Sequence, residues 1–157
     1  MTDQKTIHAS AVLVGARAVL IRGPSGAGKS RLALALIDAA RSGRLRFARL
    51  VGDDRVHVKS AGGRLLVRPA PTLAGLIEVR GAGILRLDYE ASAVVGLVVD
   101  LAAADAERLP QERTTAVEGI EIARFAAPAG PDALPAVLAL ADWPAGHGFL
   151  CDKAAPR

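Results

Sequence analysis

One octapeptide constrains this chain more than any other stretch: Gly23, Pro24, Ser25, Gly26, Ala27, Gly28, Lys29 and Ser30 run consecutively. They fit G-x-x-x-x-G-K-[ST], the loop that cradles phosphates. Ahead of it lies Ala18-Val-Leu-Ile21, an apolar run that reads as a buried strand. Behind it lies Arg31-Leu-Ala-Leu-Ala-Leu-Ile-Asp38, which reads as a helix. Strand, glycine loop and helix together supply the mechanism. Glycines let several backbone N–H groups point at one anion, and the helix N-terminus adds positive potential. Lys29 can reach the β- and γ-phosphates, and the Ser30 hydroxyl can hold Mg²⁺.

The remaining composition says what can be built around that loop. The 157 residues suit one domain, 1–157, with an ordered core over about 6–142 and a flexible tail at 143–157. Apolar residues make up 51% of the chain and aromatics only 3%, so the core must come from Ala, Val, Leu and Ile. Such residues suit an α/β sheet. The net charge of +4 is compatible with an anionic ligand or acidic partner. The arginines are scattered and no aromatics interleave with them, which argues against a nucleic-acid stacking surface. The single cysteine, Cys151, fits a reducing compartment. Met1 to Thr6 is polar, without a signal-peptide core, and the longest apolar run, Ala93 to Val99, is too short to span a membrane. These features predict a soluble cytoplasmic protein.

In chain order, Ile7–Val14 and Ala18–Ile21 are predicted to form a hairpin, because Gly15–Arg17 is too short for a crossover. A helix is expected over Lys29–Arg41, closed by Ser42-Gly43. Phe47–Val51 is the next strand. Val56–Val58 and Arg64–Arg68 flank a turn at Ser60–Gly63. Thr72 is expected to cap a short helix through Ile77, and Ile84–Leu87 to form a strand. Ala93–Leu101 is the expected centre of the sheet, followed by a helical or looped Ala102–Arg108. A hairpin around Gly119 and a closing helix over Pro131–Ala141 complete the chain. Strands outnumber helices, a departure from simple βαβ alternation.

Phosphoryl transfer needs a metal-directing carboxylate and a group to orient the attacking oxygen. Asp53 and Asp54 end the first strand after the loop's helix. Neighbours on a strand face opposite ways, so one is expected to face the metal or loop and the other an acceptor hydroxyl. The plain alternative is that Gly52-Asp-Asp is a turn. Glu78, ahead of Arg80-Gly-Ala-Gly83, could complete an Mg²⁺ shell or form a surface ion pair. His8 could lie near the phosphates or be structural. His57 reads as an exposed hairpin residue, and His147 carries no weight. Asp100, ending the Ala93–Val99 run, is the rival strand-end carboxylate.

With these residues assembled, the chain resembles the HPr kinase/phosphorylase family in its catalytic domain. The matching pieces are Ile7-His8-Ala9, Gly23–Ser30, Leu50-Val-Gly-Asp53-Asp54-Arg55-Val56 and, most specifically, Leu76-Ile-Glu78-Val-Arg80-Gly81-Ala-Gly83-Ile84. They span about Ile7 to Arg86, with weaker similarity through Phe125. The resemblance implies the short proteobacterial form, without the family's N-terminal domain. It implies a P-loop variant related to phosphoenolpyruvate carboxykinase, an α/β fold with a mixed sheet, hairpins and few flanking helices. It also implies ATP- and Mg²⁺-dependent phosphorylation of a serine on the phosphocarrier HPr, reversed in many members by inorganic phosphate. By position, Lys29 would bind phosphate, Ser30 and Glu78 would hold Mg²⁺ beside Asp53, Asp54 would be the base, and His8 would contact phosphate. Arg108 is the match for a further catalytic arginine, with Arg113 its rival. A homo-oligomer, a hexamer by resemblance, is implied; a nucleic-acid or membrane partner is not.

One segment departs from the family. Where full-length members carry a basic segment tied to dephosphorylation, this chain reads Ala126-Ala-Pro-Ala-Gly-Pro131, without arginine. The expectation is a kinase with weak reverse activity. Two other readings stand beside it: a small-molecule P-loop kinase, for which no Arg-rich lid is visible, and a nucleotide-binding module without transfer activity. A GTPase is disfavoured, because no Asn-Lys-x-Asp motif occurs.

Overall fold

In the computed structural model the described residues are 5–106, 113–128 and 133–141. Arg108, His147, Cys151, the tail at 143–157 and the end of the Ala126–Pro131 segment lie outside them.

Three strands form the centre: β2 (Ala9–Val14), β3 (Arg17–Arg22) and β9 (Ala93–Leu101). β2 and β3 form the expected antiparallel hairpin, Ala9 opposite Arg22. Gly15 turns it with φ of 63°, in the left-handed region open to glycine. β3 runs parallel to β9. The Ala18–Ile21 run is buried on both faces, which explains why it is continuously apolar. β4 (Ala48–Gly52) pairs with the other edge of β2.

The predicted strand Ile7–Val14 is broken at His8. β1 (Lys5–Ile7) pairs with β5 (Val56–Ala61), whereas β2 pairs with β3 and β4. The chain changes partners at His8. β5 and β6 (Arg64–Pro69) form the expected hairpin, and β6 joins the first residues of β9. β10 (Thr114–Val117) and β11 (Ile120–Ala127) form the hairpin around Gly119, and β11 runs parallel to the end of β9. β9 is therefore central, as expected.

Two helices pack on one face: α1 (Lys29–Arg41) and α2 (Ala133–Ala141). Val12, Val19, Ile21, Leu97 and Val99 point towards them, against Leu32, Leu36 and Val137. The alternate residues Ala11, Ala18, Leu20 and Val98 point the other way, against Val56, Val58, Leu65 and Val67 of β5 and β6.

The helix expected over Thr72–Ile77 is corrected. A short 3-10 turn spans Pro71–Leu73, after which Leu76–Val79 is strand β7, paired with β8 (Gly83–Arg86). Gly75 stops the helical path with φ of 76° and accepts the Leu87 N–H at 2.7 Å. Glu78 thus stands on a strand. No helix among the described residues is long and apolar enough to cross a membrane.

Candidate phosphoryl-transfer site

Gly23–Ser30 joins the end of β3 to the start of α1. Gly28 is the helix N-cap, with φ of 100° that few other residues adopt. At Gly23 a Cβ would stand 2.9 Å from the Leu101 carbonyl, so the loop's root presses against the end of β9. Lys29 is buried, its ammonium donating to the carbonyls of Gly23 at 2.7 Å and Pro24 at 3.1 Å.

Asp53 and Asp54 follow β4 in a bend rather than on the strand itself. They still serve different partners, because Asp54 takes φ of 67° and reverses the chain. Asp53 is buried and accepts the Ser30 hydroxyl at 2.8 and 2.9 Å. It also accepts the Ser10 hydroxyl at 2.6 Å. The Glu78 backbone N–H approaches its other oxygen at 3.4 Å. Asp54 is exposed, and His8 Nε2 donates to its Oδ1 at 3.0 Å. The break in the sheet at His8 puts that ring at the carboxylate. His8, expected at phosphate, has Asp54 as its partner here.

Ser30, Asp53 and the backbone of Glu78 therefore meet, while the Glu78 side chain is exposed. This donor set fits Mg²⁺, which takes hard oxygens, few carboxylates, and phosphates and waters for the rest. Among the described residues no cluster of three His, Cys, Asp or Glu forms a self-sufficient metal cage.

Asp100, the rival carboxylate, is taken up by two arginines. Arg22 clamps it through Nε at 2.7 Å and Nη2 at 2.9 Å, and Arg124 Nε donates to it at 2.6 Å. Arg124 also holds Asp105 at 2.6 and 2.9 Å. Burial alone would raise the Asp100 carboxyl, but hydrogen bonds and charge from Arg22 and Arg124 outweigh it and hold the group below its ordinary value. Asp105 is lowered chiefly by its Arg124 hydrogen bonds. Arg124 is raised by Asp105 and then Asp100. The Arg113 carbonyl accepts the Arg124 N–H at 2.7 Å. His57 pairs with the Thr6 hydroxyl at 3.2 Å, away from the loop. A separate cavity of about 600 Å³, lined by Arg49, Gly75, Arg86, Leu87, Asp88 and Tyr89, contains none of the motif residues.

Ser10, Arg22 and Arg124 escape a motif search. Ser10 left one signal, a hydroxyl inside an apolar run. Arg22 left another, a charge between the apolar run Ala18–Ile21 and the loop.

Fold and site define an α/β domain with a mixed, strand-rich sheet, a glycine-rich loop between β3 and α1, and a split carboxylate pair. The model of the HPr Serine kinase C-terminal domain family matches residues 1–132. The chain belongs to that family. It is similar to the HPr kinase/phosphorylase of Clostridium beijerinckii, 38% identical over 97 residues, 60% of this chain and 30% of that protein. It is also similar to that of Streptococcus thermophilus, 40% identical over 97 residues, 60% of this chain and 29% of that protein. The chain thus spans about 30% of the length of these relatives. The solved structure of the HPr(Ser) kinase/phosphatase from Coxiella burnetii superposes with a TM-score of 0.71 at 26% identity, covering 87% of this chain and 88% of that one.

Proposed function

We propose that this chain is a single catalytic unit that transfers the γ-phosphoryl group of ATP to a serine of an HPr-type phosphocarrier protein, with Mg²⁺. Family membership supports the substrate. The observation that carries the chemistry is the split carboxylate pair: Asp53 on the loop's Ser30, and Asp54 outside on His8.

The γ-phosphate binds in the Gly23–Ser30 cradle, with Lys29 turning from its loop carbonyls towards phosphate oxygens. Ser30, with Asp53 and Glu78 beside it, would hold Mg²⁺, which when bound would supply charge neutralisation to the phosphates. Asp54 aligns the incoming serine hydroxyl and accepts its proton as the serine oxygen bonds to phosphorus and the bond to the ADP oxygen breaks. His8 holds the Asp54 carboxylate in place. Arg108 is the proposed further cation for the transferring group. The reverse reaction with inorganic phosphate is weak, because Ala126–Pro131 lacks arginine. A cytoplasmic location and a homo-oligomer, hexameric by family resemblance, belong to the same reading.

The test is γ-labelled ATP, purified protein and HPr. Label on HPr is expected. Label only on small metabolites would instead support a small-molecule kinase, and ATP binding with no transfer would support a regulatory module.

A further inference from the structure

The buried polar or charged residues among the described ones are Ser10, Lys29 and Asp53. Lys29 and Asp53 fall on motifs. Ser10 does not, yet it is fully buried near the start of β2, between Ala9 and Ala11. A hydroxyl in such a place is costly unless bonded. Its bond is the 2.6 Å donation to Asp53 Oδ1. Strand alternation places Ser10 on the helix-facing side with Val12 and Val14, below the start of α1.

Asp53 needs orienting. Its carboxylate is buried, and the Ser30 hydroxyl lies nearly equidistant from its two oxygens, 2.8 and 2.9 Å. That contact alone leaves the plane of the carboxylate loosely defined. The Glu78 N–H, at 3.4 Å, adds a weak second restraint. Ser10 supplies the short one. We infer that Ser10 is a positioning residue: it fixes the Asp53 carboxylate so that it accepts the Ser30 hydroxyl's hydrogen bond and leaves the Ser30 oxygen lone pairs open to a divalent cation. The inference rests on the proposed Mg²⁺–nucleotide site, but not on the identity of the phosphoryl acceptor.

The test is the affinity for the fluorescent analogue mant-ATP, measured with and without Mg²⁺. The metal-dependent gain isolates the Ser30–Asp53 arrangement from general damage to the loop. Ser10→Ala should keep the metal-free affinity and lose about tenfold of the gain, the scale of one hydrogen bond to a charged group. Ser10→Thr, which keeps the hydroxyl, should restore it. In an Asp53→Asn background, Ser10→Ala should cause no further loss. This cycle decides the matter even if the added methyl of Ser10→Thr disturbs the core. The inference is overturned if Ser10→Ala keeps the wild-type gain, if affinity falls equally with and without Mg²⁺, or if the loss persists beside Asp53→Asn. A wild-type protein showing no metal gain would remove the metal site and this inference together. A wild-type protein with the gain but no transfer to HPr would remove only the proposed acceptor.

Discussion

At the scale of the residue, two adjacent aspartates have separated environments. Asp53 is inside, with Ser10 and Ser30, and Asp54 is outside, with His8. The separation depends on Asp54 adopting φ of 67°, which Asp and Asn tolerate better than most residues. Asp54→Asn therefore preserves the backbone and tests the carboxylate alone. It should bind mant-ATP like wild type and lose about 10²- to 10⁴-fold in turnover on HPr, the usual share of a general base. Single-turnover kinetics beside the binding titration checks both halves, and wild-type turnover would remove Asp54 from the role of base. His8→Ala should lose less, because it removes the partner and not the proton acceptor. A smaller fall in the same single-turnover rate, with mant-ATP binding intact, is the expected signature.

At the scale of the element, the phosphate loop is set by the ends of three parallel-running strands. β3, β9 and β11 stop together, and Arg22 and Asp100 near those ends are tied to Arg124 of β11. Asp100→Asn would leave two guanidiniums facing each other in a half-buried place, costing about 2–3 kcal/mol of stability near neutral pH. The sign of the pH dependence follows from the lowered Asp100 carboxyl. The unfolded chain takes up that proton more readily than the folded one, so the stabilisation is complete above the ordinary value of 3.8 and fades as pH falls through the lower native value. Urea melts from pH 7 down to 3 should show the gap between wild type and Asp100→Asn narrowing in acid; a constant gap would contradict the pairing. This network also shows where sequence reading stops. Hydrophobic alternation and glycine turns made β2–β3, α1, β5–β6, β9 and the β10–β11 hairpin legible, because their signals are local. The partner change at His8, the clamp on Asp100 and the strand β7 were not legible. The first two depend on residues distant in sequence, Val56 for β1 and Arg124 for Asp100; β7 pairs locally with β8, and there the capping signal of Thr72 pointed to a helix that Gly75 ends.

At the scale of the whole molecule, one sheet divides two apolar cores, and at one end of it the Gly23–Ser30 loop, the carboxylate pair and the β7–β8 hairpin converge, the site of the proposed chemistry. The family resemblance anticipated that mixed, strand-rich architecture; composition alone asked only for a core of small aliphatic residues. Two activities are expected of such a molecule in unequal measure. Incubated with serine-phosphorylated HPr, Mg²⁺ and inorganic phosphate, the protein should release pyrophosphate far more slowly than it phosphorylates HPr, and comparable rates would contradict the assignment drawn from Ala126–Pro131. The most direct measurement of the central claim is the intact mass of HPr after incubation with ATP, Mg²⁺ and the protein, with the modified residue mapped by fragmentation. One phosphoryl group on a serine, absent when Asp54→Asn replaces wild type, is the predicted result; unmodified HPr from a wild-type protein that binds ATP would contradict it.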